Sequence, residues 1–487
     1  MKKLLMILTI IANIILISLI PLNKYILNMK ECVSIIMCGI ILLFNILGII
    51  INKKIYKTIT IISIISILFG LYQTYCNPNW NSVIYRNKTI YTKEYDNILT
   101  KKEALEDLEY AMKYLKKVHP RLLKNIPEDL EEQYNIVKNN IENEENITTS
   151  FLEKNIESIV SKLNDAHTRI YPVYENYHLL KQLYTHNKNN EKLKKINGID
   201  IQEIFEKNKQ YYSYEMEEFA YNQFRSDVIF LEKLNKLGID ENEITYTFEL
   251  NKKLTDYTYH KEDFVTQEEY NTYNNIEPQP TTSFVTYEID NENNIAILYL
   301  DECNNTKEYK NVLNEMFNEI KQNNIENIAV DLRNNGGGDS SVATEFLKYI
   351  NIDKYQDWKS EIRRGIFNIK TKKHTIKNKK KDNAFNGNVY VLTSIDTFSS
   401  AMDFAMLIKD NNIGTIIGEA SSNNPNSYGM ITRFVLPNSK LYAQISTKKW
   451  YRINETTEEK FIEPDIKCES EQAILKLYDK IKSTSEN

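Results

Sequence analysis

Cysteine, histidine and glycine are scarce in this chain. Its 487 residues hold five cysteines, six histidines, 13 glycines and three tryptophans. Cysteines at 32, 38, 76, 303 and 468 are too few and too scattered for a disulfide-stapled fold or a multi-cysteine zinc module. No His or Cys pair has metal-ligand spacing, which disfavours a zinc protease; no metal and no other cofactor is expected. An excess of positive charge is also missing. The 61 basic and 66 acidic residues leave a net of −5, which argues against a nucleic-acid binder. With 26% of residues charged, the chain is too polar for a polytopic transporter. Its length suggests two to three domains.

Charge and hydropathy divide unevenly. Seven lysines and one acid, Glu31, precede Asn77, so the remainder carries 54 basic and 65 acidic groups, a net of −11. The same stretch contains three apolar runs, 4–20, 32–51 and 58–75. Each is near the length that crosses a hydrocarbon core of about 30 Å as a helix. A lysine start followed by apolar residues also opens a signal peptide. No small-x-small cleavage site follows, however, and two further runs do. Residues 1–76 are therefore expected to be a membrane anchor of three transmembrane helices in contact with lipid. Lys2, Lys3, Lys53, Lys54 and Lys57 fall on one side, and Lys24 and Lys30 on the other. That asymmetry predicts a multi-pass protein of the cell membrane with its large domain outside the cytoplasm. The third run is the weakest; if it only skims the surface, the large domain stays inside.

Beyond the anchor, Leu105, Leu108, Met112, Leu115 and Val118 recur at helical spacing, with Thr100 as N-cap and Pro120 closing the run. A second helix reads over 151–163, with Ile156, Ile159 and Val160 inward, and 139–146 reads as a loop between them. Residues 100–163 are expected to be a helical subdomain. A mixed segment, 164–280, follows; Asn197-Gly198 marks a tight turn, and Pro278-Gln279-Pro280 is the best boundary in the chain. From 281 to 487, strands at 284–289, 295–300, 328–332, 389–393, 415–417, 432–436 and 441–445 alternate with helices near 312–320, 342–350, 399–409 and 472–481. This is an α/β core large enough to bury its own interior. A basic run, 370–381, reads as a solvated loop, with contact to an anionic surface as its other reading.

Two segments could carry chemistry. Asp331-Leu332-Arg333-Asn334-Asn335-Gly336-Gly337-Gly338-Asp339 places three glycines after a buried strand, where backbone amides can face an oxyanion. Asp331 and Arg333 read as braces for that loop. Asp396-Thr397-Phe398-Ser399-Ser400-Ala401 opens a helix, and a serine there sits at the positive end of the helix dipole. Serine is also the ordinary N-cap of a helix, so position alone does not make it a nucleophile. A serine nucleophile needs a base. Among the six histidines, His167 lies between a helix and a strand, whereas His119, before Pro120, reads as structural.

Together these segments resemble the C-terminal processing (tail-specific) serine peptidases and the catalytic core of tricorn protease. The resemblance rests on Asp165-Ala166-His167-Thr168, the glycine run, Thr397-Phe398-Ser399-Ser400-Ala401, Ile417-Gly418-Glu419, Leu436-Pro437-Asn438 and Ile462-Glu463-Pro464-Asp465-Ile466, in that order. It implies a ClpP/crotonase-like fold of repeating ββα units and a serine endopeptidase acting on protein or peptide substrates. Ser399 matches the nucleophile. The amides of Ser400 and Gly337 match the oxyanion hole, with Gly338 as the other glycine. The processing branch places a lysine base 25 positions after the serine; here that position is Asn424, which has no titratable amine. The tricorn branch uses a histidine from the N-terminal side, which His167 matches, and a late acid. Glu458 stands nearest that acid's place, with Glu459 and Glu463 competing. The segment around 196–199 falls where many relatives carry a PDZ-like peptide-binding module. The alternative is an inactive, membrane-tethered peptide- or lipid-binding relative of the same fold, and an acyl-CoA enzyme of the crotonase type is a third reading.

Overall fold

Successive side chains of a strand face opposite ways, and the buried strands of the C-terminal half use both faces. Ile328 and Val330 enter one apolar cluster, Ala329 the other; Val389 and Val391 alternate likewise with Tyr390 and Leu392. A computed structural model describes residues 2–23, 26, 29–51, 53–84, 86–276 and 283–485. Lys24 and the Pro278-Gln279-Pro280 boundary lie outside the described residues. The core sheet runs, edge to edge, Ile466–Lys467, Thr415–Gly418, Asn388–Thr393, Asn327–Asp331, Ile295–Leu300 and Val285–Asp290. All neighbours are parallel except the last pair. Helices Lys307–Asn323, Ser341–Leu347 and Ser400–Asp410 cover one face, and Ala473–Ser485 covers the other. The expected ClpP/crotonase-like α/β architecture holds. In such a sheet, ligands bind beyond the carboxyl ends of the strands.

A second sheet joins Arg169–Tyr171, Tyr442–Trp450, Ser360–Arg364 and Phe367–Lys370, with Tyr428–Val435 on the other side of Tyr442–Trp450. Helices α4 (Lys101–Val118), α5 (Glu128–Asn143) and α6 (Thr149–Val160) pack on it, with Leu108, Leu115 and Ile156 against Phe434, Ala443 and Ile445. Thr100 caps α4 in a reciprocal box with Glu103. Helix α5 corrects the sequence reading, which placed a loop over 139–146. Only Leu130, Val137 and Ile141 of α5 are buried, so its apolar stripe is too thin to stand out among polar neighbours. Strands Lys192–Ile196, Ile199–Asp200, Glu243–Leu250 and Lys253–His260 form a separate antiparallel sheet with its own core. Asn197 and Gly198 both have positive φ in its tight turn.

At the N-terminus, α1 (Lys2–Leu22), α2 (Glu31–Ile51) and α3 (Lys53–Cys76) pack together. Asn13 donates to Ser63 (3.0 Å) and Thr74 to Ser34 (2.8 Å) inside the bundle, while Ile14, Leu43, Ile46 and Ile65 face out. Two stretches, Glu31–Ile51 and Tyr56–Cys76, are long and apolar enough to cross a membrane; the apolar part of α1, Lys3–Leu19, is shorter. Three full-length spans were expected from the sequence; among the described residues two stretches reach that length.

One buried acid ties the second sheet to α4. Asp107 accepts from the amides of Asn438 and Ser439, both at 2.8 Å, and from Ser439 Oγ at 2.5 Å. Asp107→Ala strands those donors and should cost about 2–4 kcal/mol. Denaturant unfolding of the full chain in detergent checks this value.

Candidate active site

The strand Asn388–Thr393 ends beside the strand Asn327–Asp331, and their following loops meet. Arg333 grips Asp331 through Nε (2.9 Å) and Nη2 (2.7 Å) and donates from Nη1 to Ser470 O. Both residues thus act as the expected braces. The glycine run then passes so close to Ser399 that a Cβ on Gly337 would lie 2.6 Å from Ser399 Cβ and 3.0 Å from Ser400 N. Gly337 itself has φ +101. No other residue type fits that backbone and that gap.

Ser399 is not an ordinary N-cap. An N-cap serine is extended and accepts a bond from the first turn, whereas Ser399 has φ 55, ψ −122 and makes no side-chain cap bond. A non-glycine residue in such a region costs about 1–3 kcal/mol and persists only when neighbours hold it. Asn423 is one holder: its Oδ1 accepts from Ser399 N at 2.7 Å. The side chain of Ser399 is left free, at the start of the helix Ser400–Asp410.

His167 arrives from the second sheet. The pairing of Arg169 with Gln444 fixes its strand, and Gln444 Nε2 donates to His167 O at 2.8 Å. The ring packs against Phe398, tilted by 31° with centroids 4.5 Å apart, and Phe398 in turn stacks on Phe219 at 5.2 Å. His167 and Ser399 line one cavity of about 10 Å³ with Asp403, Asn423, Tyr428 and Trp450, room for about one water. Neither nitrogen of His167 has a hydrogen-bond partner among the described residues.

Asp165 lies fully buried behind that histidine, with Oδ1 3.7 Å from His167 Nδ1, just beyond hydrogen-bond reach. It accepts from His167 N (2.9 Å), Thr168 Oγ1 (2.5 Å) and the ring of His119 (Nε2 to Oδ2, 3.1 Å). Because Arg121 N donates to His119 Nδ1 at 3.2 Å, the proton of a neutral His119 sits on Nε2 and points at Asp165. Burial alone would raise the Asp165 carboxyl; the two histidines override it and hold the group well below its ordinary range.

Of the other candidates, Ser400 lies where expected. Its amide has no partner among the described residues, and its Oγ donates to Gly338 O at 2.8 Å. Gly337 differs from expectation, because its amide donates to Asn335 Oδ1 at 2.8 Å. Its carbonyl accepts from Cys303 N at 3.0 Å. Across a trans peptide, the Gly338 N–H therefore points the opposite way, away from Cys303. Glu458 is exposed and does not line the cavity of Ser399 and His167. Its rival Glu459 pairs with Lys409 (3.1 Å) and Arg452 (2.8 Å) instead.

Sequence reasoning missed three residues here. Asp165 was visible only as part of a motif, Asn423 as an unremarked neighbour of Asn424, and Glu215 had no signal at all. Glu215 reaches in from the segment before the helix Glu217–Asp227; its Oε2 accepts from Asn424 N at 2.6 Å and its Oε1 from Ala166 N at 3.4 Å. Asp165, His167 and Glu215 each bring one ligand atom within 4.8 Å of the others, the spacing of a metal site. Both carboxylates, however, already accept hydrogen bonds from the protein.

Residues 294–468 match the model described as peptidase family S41. No curated protein matches by sequence. Among solved structures, mature CPAF complexed with lactacystin aligns with a TM-score of 0.55 at 12% identity, over 79% of this chain and 98% of that one. Mature CPAF alone gives 0.55 at 11% identity, over 78% and 95%. The photosystem II D1 C-terminal processing protease gives 0.43 at 13%, over 76% and 94%. Residues 294–468 thus carry a domain similar to the S41 peptidases, and the chain shares its fold with mature CPAF.

Burial first, then the charge of Asp165, pushes the Glu215 carboxyl up to about 8, against the pull of the Asn424 and Ala166 amides. Folded Glu215 thus keeps its proton where the unfolded chain, near 4.5, has released it. Stability is lost as pH rises between those two values. Glu215→Gln should flatten that part of the Tm–pH curve; thermal unfolding of both proteins across the window checks it.

Proposed function

We propose that this protein is a membrane-anchored serine endopeptidase in which Ser399 is the nucleophile and His167 the general base. The observation that carries the reading is the shared cavity: a serine freed from capping and held at positive φ, with an imidazole delivered from another sheet to the same small space. His167 takes the Ser399 Oγ proton as the oxygen attacks a peptide carbonyl, and then gives it to the leaving amine. The amides of Ser400 and Gly338 receive the oxyanion, Gly338 replacing Gly337 because the latter's N–H is engaged by Asn335. Asp165 takes the orienting role first assigned to Glu458, since it is the buried carboxylate behind His167 Nδ1.

The anchor is supported by the bundle's inverted pattern, polar side chains inward and large apolar ones outward. Lys53 and Lys54 begin α3, at the end remote from Cys76, where the peptidase follows. With Lys2 and Lys3 at the start of α1, this arrangement of basic residues supports a peptidase outside the cytoplasm. Substrates are proteins or peptides that reach that surface.

Ser399→Ala keeps the Cβ and the backbone strain, so it should stay folded while kcat falls on the order of 10⁴-fold or more; His167→Ala should fall comparably. An organophosphonate probe should label Ser399 in the native chain only. Labelling absent from the native chain, or turnover retained in Ser399→Ala, excludes the assignment. Asp165→Asn retains the shape but not the charge. It should lower kcat by about 10²–10⁴-fold with KM nearly unchanged, whereas Glu458→Gln should leave both near native; steady-state kinetics on one peptide compares them.

A further inference from the structure

An edge strand usually hides its apolar residues or carries charge. The hairpin of Ser360–Arg364 and Phe367–Lys370 does the reverse at its tip. Ile366 is 83% exposed, Phe367 54% and Ile369 50%. The strand Phe367–Lys370 is the free edge of its sheet. Phe367 and Ile369, two apart, share one face, which Ile366 extends at the turn.

The turn is seated against the anchor. Gly365 has φ +60, and a Cβ there would lie 2.3 Å from Tyr75 O and 3.1 Å from Cys76 Cα, the last residues of α3. Tyr72 and Tyr75, 44% and 37% exposed, mark the same level; tyrosine concentrates at membrane–water interfaces. Exposed Lys370 and Lys372 follow on the hairpin side, within the basic run singled out in the sequence. The hairpin is also rigidly mounted: Arg363 donates to His119 O (2.6 Å), Gly365 O (3.0 Å) and Lys116 O.

We propose that this hairpin is a second lipid contact, with Ile366, Phe367 and Ile369 entering the interfacial layer of a phospholipid bilayer and the following lysines meeting its phosphates. The proposal rests on the reading of α1–α3 as a membrane anchor. Continuity with the end of α3 identifies the occupant as lipid rather than a soluble partner. Burying such side chains out of water, at about 25 cal/mol per Å², fixes the tilt of the peptidase over the membrane.

The test is spin-label accessibility on the full chain in phosphatidylcholine–phosphatidylglycerol vesicles, with Cys32→Ser and Cys468→Ser to remove reactive background. Labels are placed by Ile366→Cys, by Ile46→Cys on the outer face of α2, and by Lys379→Cys on an exposed loop. The oxygen-to-nickel collision ratio at 366 should be several-fold above that at 379 and below that at 46. A ratio at 366 equal to that at 379, with 46 still lipid-like, overturns the hairpin proposal and leaves the anchor standing. A water-like label at 46 overturns the anchor and the hairpin proposal with it. Strong dipolar coupling between labels at 366 overturns the lipid assignment in favour of edge pairing between two copies.

Discussion

Everything at the reactive centre depends on two parallel strands ending side by side and sending their loops into contact at Gly337 and Ser399. The 2.6 Å a Gly337 Cβ would leave to Ser399 Cβ is closer than packed atoms tolerate, so the glycine is a steric requirement. That contact, with the Asn423 bond, holds Ser399 in a backbone region it would not choose. The strain is useful because it turns Oγ out of the capping position and into the cavity. A relaxed serine at a helix start would turn its Oγ back to an amide of its own first turn and away from the cavity.

The second constraint is electrostatic. An imidazole that takes a proton must be held and its charge compensated, and a carboxylate does both if it stays ionised when buried. Asp165 is held through three hydrogen bonds, two from its own short stretch and one from His119. His119 serves through Asp165, which explains a fully buried histidine beside Pro120 that does not itself line the cavity. The site is thus layered: Ser399 in a strained backbone, His167 without a side-chain hydrogen bond among the described residues, Asp165 behind it, and His119 behind that.

Much of this was legible in the residues. Three glycines out of 13 in one run, a serine at a helix start and a histidine between helix and strand are local signals, and they met in space. Asn424 in place of a lysine directed attention to a histidine, and His167 lines the cavity of Ser399. What was not legible depended on direction or distance. Which glycine offers its amide depends on how Asn335 and Cys303 orient successive peptide planes, and no composition encodes that. The late acid was sought by chain position, yet a carboxylate two residues before His167 lies behind its ring. Glu215 comes from a region of mixed pattern, and its role exists only because the middle segment folds over the site. Helix α5 went unread because only three of its sixteen residues are buried, too few to make a visible period.

On the reading of α1–α3 as a membrane anchor, Arg363 has a consequence for what the enzyme can reach. By gripping the carbonyls of Lys116 and His119 while its own turn abuts α3, it joins the bundle, the hairpin and the acid behind the histidine into one stiff frame. A blade on such a mount has an altitude rather than a sweep. Tethering raises the local concentration of anything confined to the same sheet of lipid, and stiffness narrows that gain to bonds lying at the matching height. On that reading, selection by elevation precedes selection by side chain.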